Sequence, residues 1–222
     1  MSIEIIYIIY TTMIQILYND LLSLIHSYLY FIDKLNHRNA CKKFQSFGIT
    51  DLYNIDPKHS KAFKEINLCK YFDVIQLKLV DNQNIIYLNH ITKLKKLILF
   101  NSEVGDNGII ALNLEELYAS DNQKITTLNH MTKLKKLNIG FNCGVGDNGI
   151  IALNLEKLYA SDNPKITTLN HMTKLKKLNI SGNCGVEDNG IIALNLEELN
   201  VYANSKITTL NYVTKLKNSV FE

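Results

Sequence analysis

Three histidines and two cysteines recur at fixed intervals, and these are the residue types that ligate metals or close disulfides. His90, His130 and His171 each sit in the frame L-N-H-x-T-K-L, while Cys143 and Cys184 share the frame N-C-G-V. Equivalent positions recur every 40 or 41 residues. In a stack of parallel strands, with two units per cycle, such residues lie roughly 10 Å apart. Zinc needs its ligands at about 2 Å, and a disulfide needs Cα atoms within about 7 Å. The expectation is therefore repeated surface imidazoles and free thiols, with no metal and no cofactor. No G-x-x-x-x-G-K-[ST], G-x-S-x-G or H-E-x-x-H occurs, and the repeated carboxylates Asp121 and Asp162 lack a distinctive acid or base partner. The chain reads as no enzyme. A lone N-x-S sequon, Asn179-Ile180-Ser181, falls on a predicted strand.

The elements that carry these residues are repeats. ALNLEELYASDNQKITTLNHMTKLKKLNI, from Ala111, returns almost verbatim one cycle later. Leu114, Leu155 and Leu196 open one set of units, and Leu134, Leu175 and Leu216 open a second set between them, so each cycle holds two units of 20 or 21 residues. Each unit reads L-x-x-L-x-L-x-x-N. Alternation along L-x-L predicts a short strand with one face buried, and a single unit cannot bury that face alone. Asn82, Asn122, Asn142, Asn163, Asn183 and Asn204 form an asparagine column, because an amide can satisfy both donors and acceptors of a buried turn. Ser102 interrupts the column and reads as a local weak point.

These motifs resemble leucine-rich repeats. The segment N-x-K-I-T-T-L-N-H-M-T-K-L resembles the short repeats of bacterial internalins, while VGDNGIIALNLEKL at 145–158 and VEDNGIIALNLEEL at 186–199 resemble the cysteine-containing class common in F-box proteins. The resemblance implies an α/β solenoid with short parallel strands on a concave face and turns or short helices on the convex face. About eight units would occupy 74–222.

Residues 17–44, LYNDLLSLIHSYLYFIDKLNHRNACKKF, place Leu17, Leu21, Leu24, Ile25, Tyr28, Leu29 and Ile32 on one helical stripe. The stretch resembles an F-box through Leu17, Asp20, Leu21, Leu22, Ile25, Ser27, Tyr28, Leu29, Asp33, Cys41, Lys42 and Phe44. That resemblance implies a helical F-box-like module over 1–45 that docks a Skp-type adaptor through Leu17, Leu21, Ile25, Leu29, Cys41 and Phe44. The repeats would then select a protein substrate for an SCF-type ubiquitin ligase in the ubiquitin-conjugation pathway. The plain alternative is an amphipathic cap that seals the first repeat of a free-standing scaffold. Residues 46–73 read as a linker and a cap leading into the repeats.

Charge is nearly balanced. Residues 1–73 carry 8 basic and 7 acidic side chains, and 74–222 carry 16 and 14, so neither part attracts nucleic acid by charge. Four cysteines without a C-x-x-C pair fit a reducing, intracellular and cytoplasmic setting. The apolar run from Ile5 to Leu17 lacks a basic flank, is too short to span a bilayer, and meets Asp20 when extended. Abundant Ile, Asn, Lys and Tyr without Trp point to an AT-rich source such as a giant virus or protist, which would place a viral protein in the host cytoplasm.

On the strand face turned away from the core, Lys95-Lys96, Glu115-Glu116, Lys135-Lys136, Glu156-Lys157, Lys176-Lys177, Glu197-Glu198 and Lys217 read as a self-neutralising charge ladder. Beside it, Phe100, Tyr118, Phe141, Tyr159 and Tyr202, with Asp121 and Asp162 at their edge, are the candidate partner-binding positions. The unit opening at Leu216 has a neighbour on one side only, so it is expected to fray or to associate end to end.

Overall fold

The computed structural model describes residues 51–53, 75–83, 85–211 and 216–220. The F-box-like stretch 17–44, with its proposed adaptor contacts Leu17, Leu21, Ile25, Leu29, Cys41 and Phe44, lies outside the described residues.

Among the described residues, nine strands form one parallel sheet in chain order: β1 (Asp51–Tyr53), β2 (Gln76–Val80), β3 (Lys96–Phe100), β4 (Glu116–Tyr118), β5 (Lys136–Asn138), β6 (Lys157–Tyr159), β7 (Lys177–Asn179), β8 (Glu198–Asn200) and β9 (Asn218–Val220). The L-x-L alternation sets the register. Leu77, Leu97, Leu117, Leu137, Leu158, Leu178 and Leu199 stand opposite one another in successive strands, and all are buried. A shift of one residue would turn this whole column to solvent. Strand β1 falls within 46–73, and Leu52 stands in register with Leu77. An edge strand offers unpaired N–H and C=O groups, and Asp51–Tyr53 satisfies those of β2.

After each of β2 to β8 the chain turns at one left-handed residue. Asp81, Asn101, Asp121, Phe141, Asp162, Gly182 and Ala203 have φ between 46° and 67°. Asp, Asn and Gly adopt this region readily, whereas Phe and Ala do so against their preference.

Among the described residues, two single-turn helices, α1 (Asp106–Ile109) and α2 (Asp147–Ile150), and a 3₁₀ turn at Asp188–Gly190 lie on the convex side. The V-x-D-x-G-I motif accounts for them. Val104, Val145 and Val186 and Ile109, Ile150 and Ile191 fill the core. The Asp147 carboxylate accepts the Thr167 N–H at 2.8 Å and the Thr167 hydroxyl at 2.5 Å, and Asp106 and Asp188 do the same with Thr126 and Thr208. Gly149 lets this helix approach the preceding turn: its carbonyl accepts the Leu128 N–H at 2.8 Å, and a Cβ there would run into the Thr126 carbonyl oxygen. Among the described residues, no helix is long and apolar enough to cross a membrane.

Candidate functional site

The outward residues of the strands form rows across the concave face. One row runs Lys96, Glu116, Lys136, Lys157, Lys177, Glu198, and the next runs Ile98, Tyr118, Asn138, Tyr159, Asn179, Asn200. Tyr118 and Tyr159 thus share a row with Asn138 between them. Phe100, on β3, and Tyr202, just past β8, lie one row further along and five strands apart, as the bonds Asp81 N–H to Phe100 O and Gly182 N–H to Tyr202 O show. The fold does not gather the candidate aromatics into one cluster. Phe141, Asp121 and Asp162 occupy the left-handed turn positions beyond the strands. Phe100, Phe141, Tyr159 and Tyr202 are exposed, whereas Tyr118 is half-buried with the Lys96 ammonium 5.6 Å from its ring centre. Asp162 is engaged in structure, since its carboxylate accepts the Asn183 N–H at 2.9 Å.

The asparagines of this row are oriented by backbone. Asn138 Oδ1 accepts the Gly140 N–H at 3.1 Å and the Ser120 hydroxyl at 2.7 Å. Asn179 Oδ1 accepts the Ser181 N–H at 3.0 Å and the Ser161 hydroxyl at 2.8 Å. A backbone N–H can only donate, so the atom facing it is the amide oxygen and each Nδ2 is left to donate elsewhere.

The charge ladder is only partly alternating. Glu116 sits between Lys96 at 3.7 Å and Lys136 at 2.5 Å, Lys177 meets Glu198 at 2.6 Å, and Glu197 meets Lys217 at 2.9 Å. Partial burial disfavours the Glu116 charge, but the hydrogen bond and charge of Lys136, with Lys96 beside it, hold its carboxyl below the usual range. The same bond, opposed by weaker desolvation, raises Lys136. Where Glu156-Lys157 would continue the alternation, Lys157 stands between Lys136 and Lys177.

The asparagine column proves to be alternate rather than continuous. Asn82, Asn122, Asn163 and Asn204 are buried. Asn163 Nδ2 donates to Ile139 O at 2.8 Å and Val145 O at 3.1 Å, while its Oδ1 accepts the Lys165 N–H at 3.0 Å. Asn142 and Asn183, by contrast, are exposed. In those units the buried place two residues before the core valine belongs to Cys143 and Cys184, whose thiols burial pushes up from their ordinary range. Ser102 holds the same place before Val104, buried, its hydroxyl accepting the Val104 N–H at 3.3 Å. It belongs to the cysteine-type turns and is no gap in the asparagine column. The recurrent histidines lie along the convex return, where His130 and His171 Nε2 each face a carbonyl of the preceding cycle, Ile109 O and Ile150 O, at 3.2 Å. Burial lowers His90. Among the described residues, no three His, Cys, Asp or Glu side chains come together to hold a metal ion.

The family model described as Leucine Rich repeat matches residues 90–112, 130–153 and 171–194, the spans that end in the valine-aspartate-glycine turns. These turns are leucine-rich repeats. The structure is similar to the crystal structure of an internalin (inlF) from Listeria monocytogenes, with a TM-score of 0.53 and 22% identity, covering 70% of this chain and 50% of that one. The chain thus spans half the length of that internalin, and the likeness is one of fold. A comparison with curated proteins finds no match.

A second asparagine ladder of the repeats escaped the sequence reading. Asn129 in L-N-H donates to Asn148 O at 2.8 Å and accepts the Ala152 N–H at 3.0 Å, and Asn89 and Asn170 repeat the pattern. A third, Asn113 and Asn154, accepts the Lys133 and Lys174 N–H groups at 3.0 and 2.9 Å. The Asn repeated in each L-N-H frame was the available signal.

Proposed function

We propose that the protein is a non-catalytic scaffold that holds a protein partner on the concave face of its repeats. The row Tyr118, Asn138, Tyr159, Asn179 carries this reading, because it sets aromatic surface and amide donors in fixed register on a rigid sheet. Such side chains are ordered before a partner arrives, so little entropy is lost on docking. The test places a photo-crosslinking residue at Tyr159 on the concave face and, in a second protein, at exposed Ile151 on the convex face. Crosslinking to a protein from position 159 and not from 151 is expected; the reverse pattern would sink the concave reading.

The finer reading is the substrate-recognition subunit of an SCF-type ubiquitin ligase, with a helical module over 1–45, a linker and cap, and repeats from 74. Its support is the F-box resemblance of residues 17–44 joined to repeats of the cysteine-containing class. Mixing with a Skp-type adaptor should give a stable complex that Leu29→Asp abolishes while crosslinking from position 159 persists. If the folded wild-type protein forms no such complex, the free-standing scaffold is the better description.

A further inference from the structure

Granted that a partner docks on the concave face, the charge pattern there identifies its chemistry. The row Lys96, Glu116, Lys136, Lys157, Lys177, Glu198 would alternate throughout if position 157 were acidic. The neighbouring row, from Lys95 through Glu156 to Lys217, does alternate. Three lysines side by side on adjacent strands, the strands roughly 4.8 Å apart, repel one another, and like charges directly opposite are destabilising. Lys136 is held by Glu116 and Lys177 by Glu198. Lys157 has no carboxylate at ion-pair distance among the described residues.

The next row adds donors. Asn138 and Asn179 have their Oδ1 atoms occupied by backbone N–H and serine hydroxyl groups, so what each amide has left to offer is the N–H donors of its Nδ2. Tyr159 brings a phenol beside Lys157 on the same strand. The middle of the face therefore presents cations and N–H donors, and it is bracketed by Glu116 and Glu198 at its two ends.

We infer that this patch docks a short acidic segment of the protein partner, with a carboxylate on Lys157 and neighbouring acceptors on the Asn138 and Asn179 amides. The stretch from Lys136 to Lys177 covers about 10 Å, which an extended peptide crosses in roughly three residues. The bracketing glutamates oppose a longer polyanion, which favours a protein segment over nucleic acid.

The test measures fluorescence anisotropy of the full chain at low salt with three labelled probes: a glycine-serine peptide with a central run of glutamates, its glutamine counterpart, and an oligothymidylate of similar length. The glutamate peptide should bind, with the glutamine peptide and the oligonucleotide roughly tenfold weaker or more. Lys157→Glu should abolish the binding and Lys157→Gln should weaken it. Lys174→Glu, the same charge change at an exposed site off the strands, should leave it intact. Equal binding of the two peptides, equal loss with Lys174→Glu, or an oligonucleotide that binds as tightly as the glutamate peptide would each overturn the inference. If no probe binds while position 159 still crosslinks to a protein, the acidic chemistry is wrong and the concave scaffold stands.

Discussion

Phe141 is the residue whose local conformation is hardest to justify by stability. It takes φ 58° at a position filled elsewhere by Asp, Asn, Gly or Ala, and its ring is 53% exposed. A left-handed conformation costs a side chain with an ordinary Cβ about 1–2 kcal/mol, and Asn much less. Phe141→Asn is therefore expected to raise stability by about 1 kcal/mol in denaturant melts; a loss of stability would show that the ring packs more than its exposure indicates. Two asparagines of apparently equal rank also separate here. Asn163 bonds three backbone groups in the buried turn, so Asn163→Leu should cost roughly 1–3 kcal/mol. Asn142 is exposed, and Asn142→Leu should change stability by no more than about 0.5 kcal/mol.

At the scale of the element, the convex helix α2 exists because a glycine lets it lie against the turn before it. The Gly149→Ala methyl would meet the Thr126 carbonyl, backbone that cannot swing aside, and the Leu128 to Gly149 hydrogen bond would lengthen with it. A loss of roughly 1–3 kcal/mol is expected, in the range of overpacked cores. Gly146→Ala provides the contrast: its φ of −122° suits any residue, and the added Cβ lies 3.2 Å from Lys165 O, so the cost should be much smaller. Equal melting midpoints for the two variants would show that close approach does not shape this turn.

Across the whole molecule, the charge ladder links neighbouring strands, and Glu116 is shared between lysines of the strands on both sides. Its folded-state pKa lies below its ordinary value, so the charge is better accommodated in the fold than in the unfolded chain. The stability that follows is full above the ordinary value of 4.5 and is lost as pH falls through the lowered folded value. Wild type should exceed Glu116→Gln in melting temperature at neutral pH, with the gap closing on acidification below 4.5. A gap that widened on acidification would mean that the lysines do not hold this carboxylate.

The sheet, its register and the stacking of units were legible in the sequence because L-x-L alternation at a fixed interval admits one face to the core. Leu77 through Leu199 form one buried column for that reason. The same spacing made Asn142 and Asn163 look alike, yet the shapes of their turns differ. Only the folded chain shows that Cys143 occupies the buried place while Asn142 turns to solvent. Likewise, lysine and glutamate could be read along the strands as a neutral ladder, but which charge faces which depends on register. Tertiary pairing placed Lys157 between two lysines, and set the Ser120 and Ser161 hydroxyls against the amide oxygens of Asn138 and Asn179, whose backbone partners Gly140 and Ser181 are local. A pattern of residue types specifies which side of a strand is buried; which charged partner an outward side chain meets is decided by the neighbouring strand, which lies some twenty residues away in sequence.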